Sequence, residues 1–124
     1  MKIPEKAFKV LEHEGIVSIV TQYENKPHVV NTWNSYIQVT SEEYLLVPVG
    51  GMKNTEHNIN KNNNVLITFG SREVDGFNSK GTGFLISGTA EFLYEGEYFN
   101  FMKEKFSWIR AVLLVKPLTI TQTL

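Results

Sequence analysis

Apolar positions along the chain change period several times, and each change marks an element. Over residues 4–14, Ala7, Val10 and Leu11 recur at helical spacing, Phe8 widens the stripe, Pro4 and Glu5 suit a first turn, and Gly15 suits the stop. Residues 16–21 switch to β-branched side chains, and Glu24-Asn25-Lys26-Pro27 supplies turn chemistry before an extended pattern resumes over residues 28–39. A helix is thus followed by a hairpin. A turn over residues 40–43 leads into a strand over 44–49, whose Pro48 places its far end at an edge or bulge. Gly50-Gly51 breaks the chain. Residues 54–62 predict a short polar helix anchored by Ile59 alone, the asparagines between 58 and 64 belong on the surface of its end, and 65–69 is again a strand.

Residues 72–83, with Gly76, Gly81 and Gly83, show no period and predict a long, mobile loop. A strand over 84–94 with Gly88 as a bulge position, a helix over 97–106 with Tyr98, Phe101 and Met102 on one stripe, and a strand over 110–121 complete the chain. Six strands joined mostly by hairpins, with three short helices, predict a mainly β (α+β) antiparallel barrel or sandwich and not a doubly wound parallel sheet.

Composition narrows the function more than the fold. The chain has 124 residues, 42% of them hydrophobic and 20% charged, which predicts one domain over residues 1–124. Twelve Lys+Arg against thirteen Asp+Glu give a net charge of -1, so no global field is present to hold nucleic acid or an anionic membrane. With no cysteine, disulfides, thiolate catalysis, iron–sulfur clusters and zinc knuckles all drop out, which fits a cytoplasmic protein. The longest aliphatic run, Ala111-Val112-Leu113-Leu114-Val115, is far short of the ~20 residues of a spanning helix, and the N-terminus lacks a signal layout.

Side-chain chemistry is sparse. His13, His28 and His57 have no metal-ligand spacing, no Gly-x-Ser-x-Gly occurs, and Gly81-Thr82-Gly83 opens a strand where a dinucleotide fingerprint needs a helix; neither metal ligands nor catalytic residues are expected. Two segments remain. In the first, Val49, Gly50, Gly51, Met52, Lys53, Asn54 and Thr55 form a glycine turn opening a helix. Such a turn is either an anion site, with Lys53 as cation and Thr55 as hydroxyl, or a structural turn capped by Thr55 or Asn54. In the second, polar and aromatic residues alternate in what reads as a strand: Asn31, Trp33 and Ser35 on one face, Thr32, Asn34 and Tyr36 on the other. Neither face is wholly apolar. A planar ligand with acceptors at its rim, or a buried Trp33 between a core face and a wet face, accounts for that pattern.

The run from Val30 to Ser35, the run from Val47 to Met52, Gly70-Ser71-Arg72, the run from Gly81 to Ile86 and the closing Gln122-Thr123-Leu124 together resemble small bacterial members of the pyridoxamine 5'-phosphate oxidase-like FMN-binding split-barrel family, with motifs in the same order over nearly the whole chain. The resemblance implies a six-stranded antiparallel split barrel with short flanking helices, a homodimer, and one non-covalent FMN per subunit near the dimer interface. It further implies that Asn31, Thr32, Trp33, Asn34 and Ser35 line the flavin and its ribityl chain, with Trp33 and Tyr36 as aromatic neighbours. Backbone groups of Pro48, Val49, Gly50 and Gly51 would meet the ring edge, while Thr55, the helix amides from Met52 to Asn54 and Lys53 would hold the phosphate. In the family pattern the lysine directly precedes the threonine; here Asn54 stands in that place. Ser71 and Arg72 are further phosphate or pyrimidine contacts by the same resemblance. The resemblance also implies that Trp108 and Leu124 would approach the ring, Leu124 from the partner subunit, and that Glu14 would lie near the flavin.

Three function classes follow. The first is a small FMN flavoprotein passing electrons to a redox partner protein not identified by the sequence, because most of so short a chain is needed for the barrel. The second is an FMN-dependent enzyme, a flavin reductase or a pyridoxamine-phosphate-oxidase-like oxidoreductase. The third is a non-redox ligand-binding barrel in which the glycine turn is merely structural.

Overall fold

The computed structural model describes residues 2–124. Three helices, α1 (Glu5–Leu11), α2 (Lys53–Lys61) and α3 (Glu97–Lys105), flank strands β1 (Ile16–Tyr23), β2 (Lys26–Trp33), β3 (Gln38–Val39), β4 (Leu45–Val49), β5 (Asn64–Asp75), β6 (Lys80–Leu93) and β7 (Ala111–Gln122). Every pairing is antiparallel, in the order β2-β1-β5-β6-β7-β4-β3. The curled sheet is an unclosed split barrel, because β2 and β3 at its two edges do not pair.

The sheet's inner face carries the main core: Val17 and Ile19 of β1, Val65, Ile67 and Phe69 of β5, and Phe84 and Ile86 of β6 alternate with more exposed neighbours. Ile3, just before α1, and Ala7 and Val10 of α1 pack into the same core. The aliphatic run Ala111 to Val115 is buried at every position, since β7 is covered twice. Ala111, Leu113 and Val115 face the main core, while Val112 and Leu114 pack with Met102 of α3 and Leu46 of β4 in a second cluster. Pro48 stands beyond the end of β3, where β4 is paired only with β7, so its missing N–H costs no ladder bond there. Gly88 marks the expected bulge: β6 and β7 slip register between Ser87 and Gly88, and a Cβ on Gly88 would lie 2.3 Å from the Lys116 carbonyl oxygen.

Three expectations are corrected. First, the sheet has seven strands, because the stretch read as one strand over 28–39 breaks at Trp33 into a 3-10 turn, Asn34–Tyr36, before β3. Asn34 is 1% exposed, and its amide NH2 reaches the carbonyls of Val10 (3.3 Å), His13 (2.8 Å) and Gly70 (3.1 Å), so one inward side chain bends the chain and satisfies the open C-terminal end of α1. Second, residues 72–83 are not a long loop. Strands β5 and β6 extend through them as a hairpin arm, leaving residues 76–79 as the turn, closed by the Gly76 N–H to the Ser79 carbonyl at 2.8 Å. Both arm strands are polar there, which hides the period. Third, Asn58 is buried and donates to Thr21 Oγ1 at 3.1 Å, so α2 is held by a polar pair as well as by Ile59.

Candidate functional site

Strand β4 runs into Gly50-Gly51-Met52, and that turn opens α2. Met52 occupies the N-cap position in the left-handed region (φ 59, ψ 38) and supplies no side-chain cap. Neither does Asn54 or Thr55, so the structural-cap alternative is not what the fold uses. The first bond of the helix runs from the Glu56 N–H to the Met52 carbonyl at 2.9 Å. Among the described residues, the N–H groups of residues 51–55 meet no acceptor within the chain. Thr55 is 0% exposed, and its hydroxyl oxygen has no hydrogen-bond partner. Five open amides, a buried unpaired hydroxyl and the positive end of a helix form a donor set suited to a phosphate. The side chain of Lys53 is 75% exposed and stands 3.9 Å from Glu56 Oε1, leaning along the helix.

The two glycines differ. A Cβ on Gly50 would meet the Trp108 ring at 3.2 Å, whereas one on Gly51 would meet nothing within 4 Å, and neither glycine needs a positive φ. Trp108 is half exposed and belongs to an aromatic group with Tyr36 (centroids 5.8 Å apart) and Phe106 (5.9 Å). One wall of the turn is therefore aromatic, and the space over Gly51 is open to a flat ligand.

Tyr36 closes the 3-10 turn, and the remaining site residues gather on that turn's other side. The Ser35 hydroxyl (2.7 Å) and N–H (3.1 Å) both donate to the carboxylate of Glu14, which the bonded hydroxyl, then the amide, holds below the usual carboxylate range. Asn34 is bound to Gly70, the neighbour of Ser71, and its own side-chain oxygen is buried without a partner. The Asn31 side chain accepts from Ser18 at 2.9 Å, Thr32 is buried, and Trp33, opposite Ile16 across the ladder, is 45% exposed. Ser71 accepts from the Glu73 N–H, and Arg72 is exposed on the same strand. The Leu124 carbonyl accepts from Thr82 at 2.7 Å, beside the Ser71 pairing, while the Leu124 side chain is exposed. Within one chain the expected residues thus form two groups, a glycine-turn and Trp108 group and a Ser35, Ser71 and Leu124 group, joined through Asn34–Tyr36.

Behind the glycine turn stands Arg110. Its Nε donates to the carbonyls of Gly50 (3.1 Å) and Gly51 (3.2 Å), and Nη2 to Gly51 at 2.6 Å. The same guanidinium grips Glu56 through both carboxylate oxygens, at 3.2 and 3.0 Å. Tyr94 donates its hydroxyl to Glu56 as well. Arg110 first, then Tyr94, holds the Glu56 carboxyl below the usual carboxylate range.

The sequence profile of the family described as Pyridoxamine 5'-phosphate oxidase matches residues 3–121. The chain belongs to this family. Within the pyridoxamine 5'-phosphate oxidase family it is 48% identical over 122 residues to the FMN-binding protein of Nitratidesulfovibrio vulgaris (strain DSM 19637 / Miyazaki F), covering 98% of this chain and 99% of that protein. Its fold is similar to that of HupZ from Group A Streptococcus, with a TM-score of 0.81 at 18% identity over 98% of this chain and 94% of that one. An FMN-binding protein from Syntrophomonas wolfei subsp. wolfei gives a TM-score of 0.76 at 18% identity, over 97% and 85% of the two chains.

Beyond the motifs of the pyridoxamine 5'-phosphate oxidase family, no local pattern singles out Glu56 or Tyr94, or links either of them to Arg110. Arg110 and Glu56 are separated by 54 residues, so no local pattern signals their pairing. The one available hint is an arginine placed immediately before an uninterrupted aliphatic strand. No group of three or more His, Cys, Asp or Glu able to hold a metal ion occurs among the described residues, and none of their helices is long and apolar enough to cross a membrane.

Proposed function

We propose that this chain binds one FMN non-covalently per subunit and works as a small cytoplasmic redox protein, a homodimer that exchanges electrons with a partner protein. The observation that carries the cofactor is the start of α2, where the buried, unpaired Thr55 hydroxyl lies among the open amides of residues 51–55. A dianionic phosphate satisfies the Thr55 hydroxyl and the amides of residues 53–55, leaving those of Gly51 and Met52 to the ring edge, which matters in a chain whose net charge of -1 supplies no field to hold the phosphate. The open space at Gly51, beside Trp108, admits a flat ring at the turn's edge. The 48% identity to a protein named for FMN binding supports the same reading.

When bound, FMN supplies the redox chemistry. The chain's residues orient it and set its surroundings. Glu14, kept ionised by Ser35, adds a fixed negative charge on that side of the site, which disfavours further electron density on the cofactor. A carrier is favoured over an oxidase by the state of the cations. Arg110, one of the few basic residues near the turn, is fully engaged with Gly50, Gly51 and Glu56 and leaves no guanidinium for a second phosphorylated substrate.

The homodimer is supported by the sheet's outer face, where Ile16, Val29, Trp33 and Leu66 are between 42% and 56% exposed. Their ladder neighbours Ser18, Asn31 and Thr68 are uncharged.

The visible spectrum of the purified protein, with a fluorescence titration by FMN, tests the reading. A colourless protein that leaves FMN fluorescence unquenched overturns it, and rapid turnover with nicotinamide alone moves it to an enzyme. Thr55→Ala is expected to weaken FMN at least about tenfold, the loss of one hydrogen bond to a charged group, while barely changing riboflavin. Equal losses for both ligands refute the phosphate assignment.

A further inference from the structure

The glycine turn must present its amides in one direction, yet glycines impose little direction of their own. In the folded chain, the carbonyls of Gly50 and Gly51 both point at the Arg110 guanidinium, with Nε and Nη2 at 2.6 to 3.2 Å. All peptide bonds here are trans, and in a trans peptide the N–H points opposite to the C=O of the same plane. Fixing the Gly50 carbonyl therefore fixes the Gly51 N–H, and fixing the Gly51 carbonyl fixes the Met52 N–H. Both N–H groups face away from Arg110, and both are without an acceptor in the chain.

Arg110 is itself immobilised. Its backbone N–H donates to the Val49 carbonyl at 2.8 Å, and its Nη1 and Nη2 are held by the two oxygens of Glu56, in the first turn of α2. Tyr94 donates to that carboxylate from beyond β6. The Glu56 side chain is 15% exposed and that of Arg110 27%, so the pair is shielded from most competing water. Three elements, the end of β4, the start of α2 and the start of β7, meet at a single planar cation.

We propose that Arg110 is a positioning residue for the flavin. It touches no expected cofactor atom, but by gripping the Gly50 and Gly51 carbonyls while tethered to Glu56 it aims the Gly51 and Met52 amides at the cofactor's ring edge. The requirement is for a fork and not simply for a positive charge. Lysine offers three donors from one point and cannot span two carbonyls and a carboxylate together. Nearby Lys53, largely exposed, cannot substitute for it. This inference rests on the FMN reading above and extends it to a residue behind the site.

The experiment uses the full-length protein with FMN and riboflavin as probes, and Arg110→Lys as the variant. Its circular dichroism is expected to match the native protein. Affinity for both FMN and riboflavin is expected to fall about tenfold, because the ring edge is shared by the two ligands, and one charge-assisted bond is of that size. The FMN-induced amide shifts of Gly51 and Met52 in nitrogen-15 NMR should shrink in the variant, which a purely structural tie would not cause at saturating FMN. Unchanged affinities together with unchanged amide shifts overturn the proposal. Should Arg110→Lys fail to fold, Glu56→Gln decides: it keeps the shape but removes the charge that anchors the arginine. A weaker flavin affinity with smaller Gly51 and Met52 shifts supports the proposal, and native values for both overturn it. A native protein that binds neither flavin refutes the FMN reading itself, a separate outcome.

Discussion

At the scale of single residues, Gly51 is a glycine that nothing inside the chain demands. Its φ is not in the left-handed region, and a Cβ built on it meets no atom within 4 Å, so neither backbone strain nor packing explains the missing side chain. A ligand lying against the backbone does explain it. Gly51→Ala is therefore expected to leave the stability of the protein without FMN within about 0.5 kcal/mol of native, the range of neutral surface changes, and to weaken FMN more than about tenfold. Differential scanning fluorimetry with a fluorescence titration checks both; a native affinity removes Gly51 from the site. Thr55 shows the complementary signature, a buried hydroxyl left unsatisfied, a cost that a protein tolerates where a partner arrives from outside. The glycine pair, the threonine and the nearby lysine were legible in the sequence as an anion-site pattern. The absence of any cap was not, because Asn54 and Thr55 are both residues that cap helices well, and only their position within the first turn shows that neither does so.

At the scale of elements, the 3-10 turn Asn34–Tyr36 joins the two groups of site residues. Its inward side chain bonds the end of α1 on one side and Gly70 of β5 on the other. Asn34→Ala removes the bonds to the Val10, His13 and Gly70 carbonyls, of which Val10 keeps the His13 N–H, so a loss of roughly 2–4 kcal/mol of stability is expected, at the upper end for a buried polar network. Urea denaturation measures it, and a change below about 1 kcal/mol, the size of one ordinary hydrogen bond, would show that the turn is held by something else. Alternation alone places Asn34 on a strand face, which is why a continuous strand was expected. Periodicity cannot register a side chain that finds its partners 21 to 36 residues away. The hairpin arm over residues 72–83 escapes periodicity for a related reason: its strands are polar and glycine-rich, and their pairing is fixed by register with each other.

At the scale of the whole molecule, the outer face of β1, β2 and β5 exposes four large hydrophobic side chains, Ile16, Val29, Trp33 and Leu66, among the uncharged Ser18, Asn31 and Thr68, more than scattered surface residues require. Within one chain the glycine-turn group and the Leu124 group are joined through Asn34–Tyr36, and in the proposed homodimer a second copy covers this face. Leu66 lies on β5 across β1 from Val29 and is 42% exposed, and Leu66→Lys is expected to leave the subunit folded while producing a monomer with weaker flavin binding. Sedimentation velocity checks the mass. A dimer that persists places the interface elsewhere.

By itself the sequence determined what is local or compositional: the antiparallel β architecture, the bulge at Gly88, the absence of any thiol, and the glycine turn that opens a helix. These depend on period, backbone freedom and side-chain inventory, which each residue carries with it. Only the tertiary structure decided which donors stay unpaired, where Asn34 turns inward, and how Arg110 meets Gly50, Gly51 and Glu56 at one point. Those outcomes depend on contacts across tens of residues. A hydrogen bond's partner, unlike a residue's propensity, is a property of the folded chain.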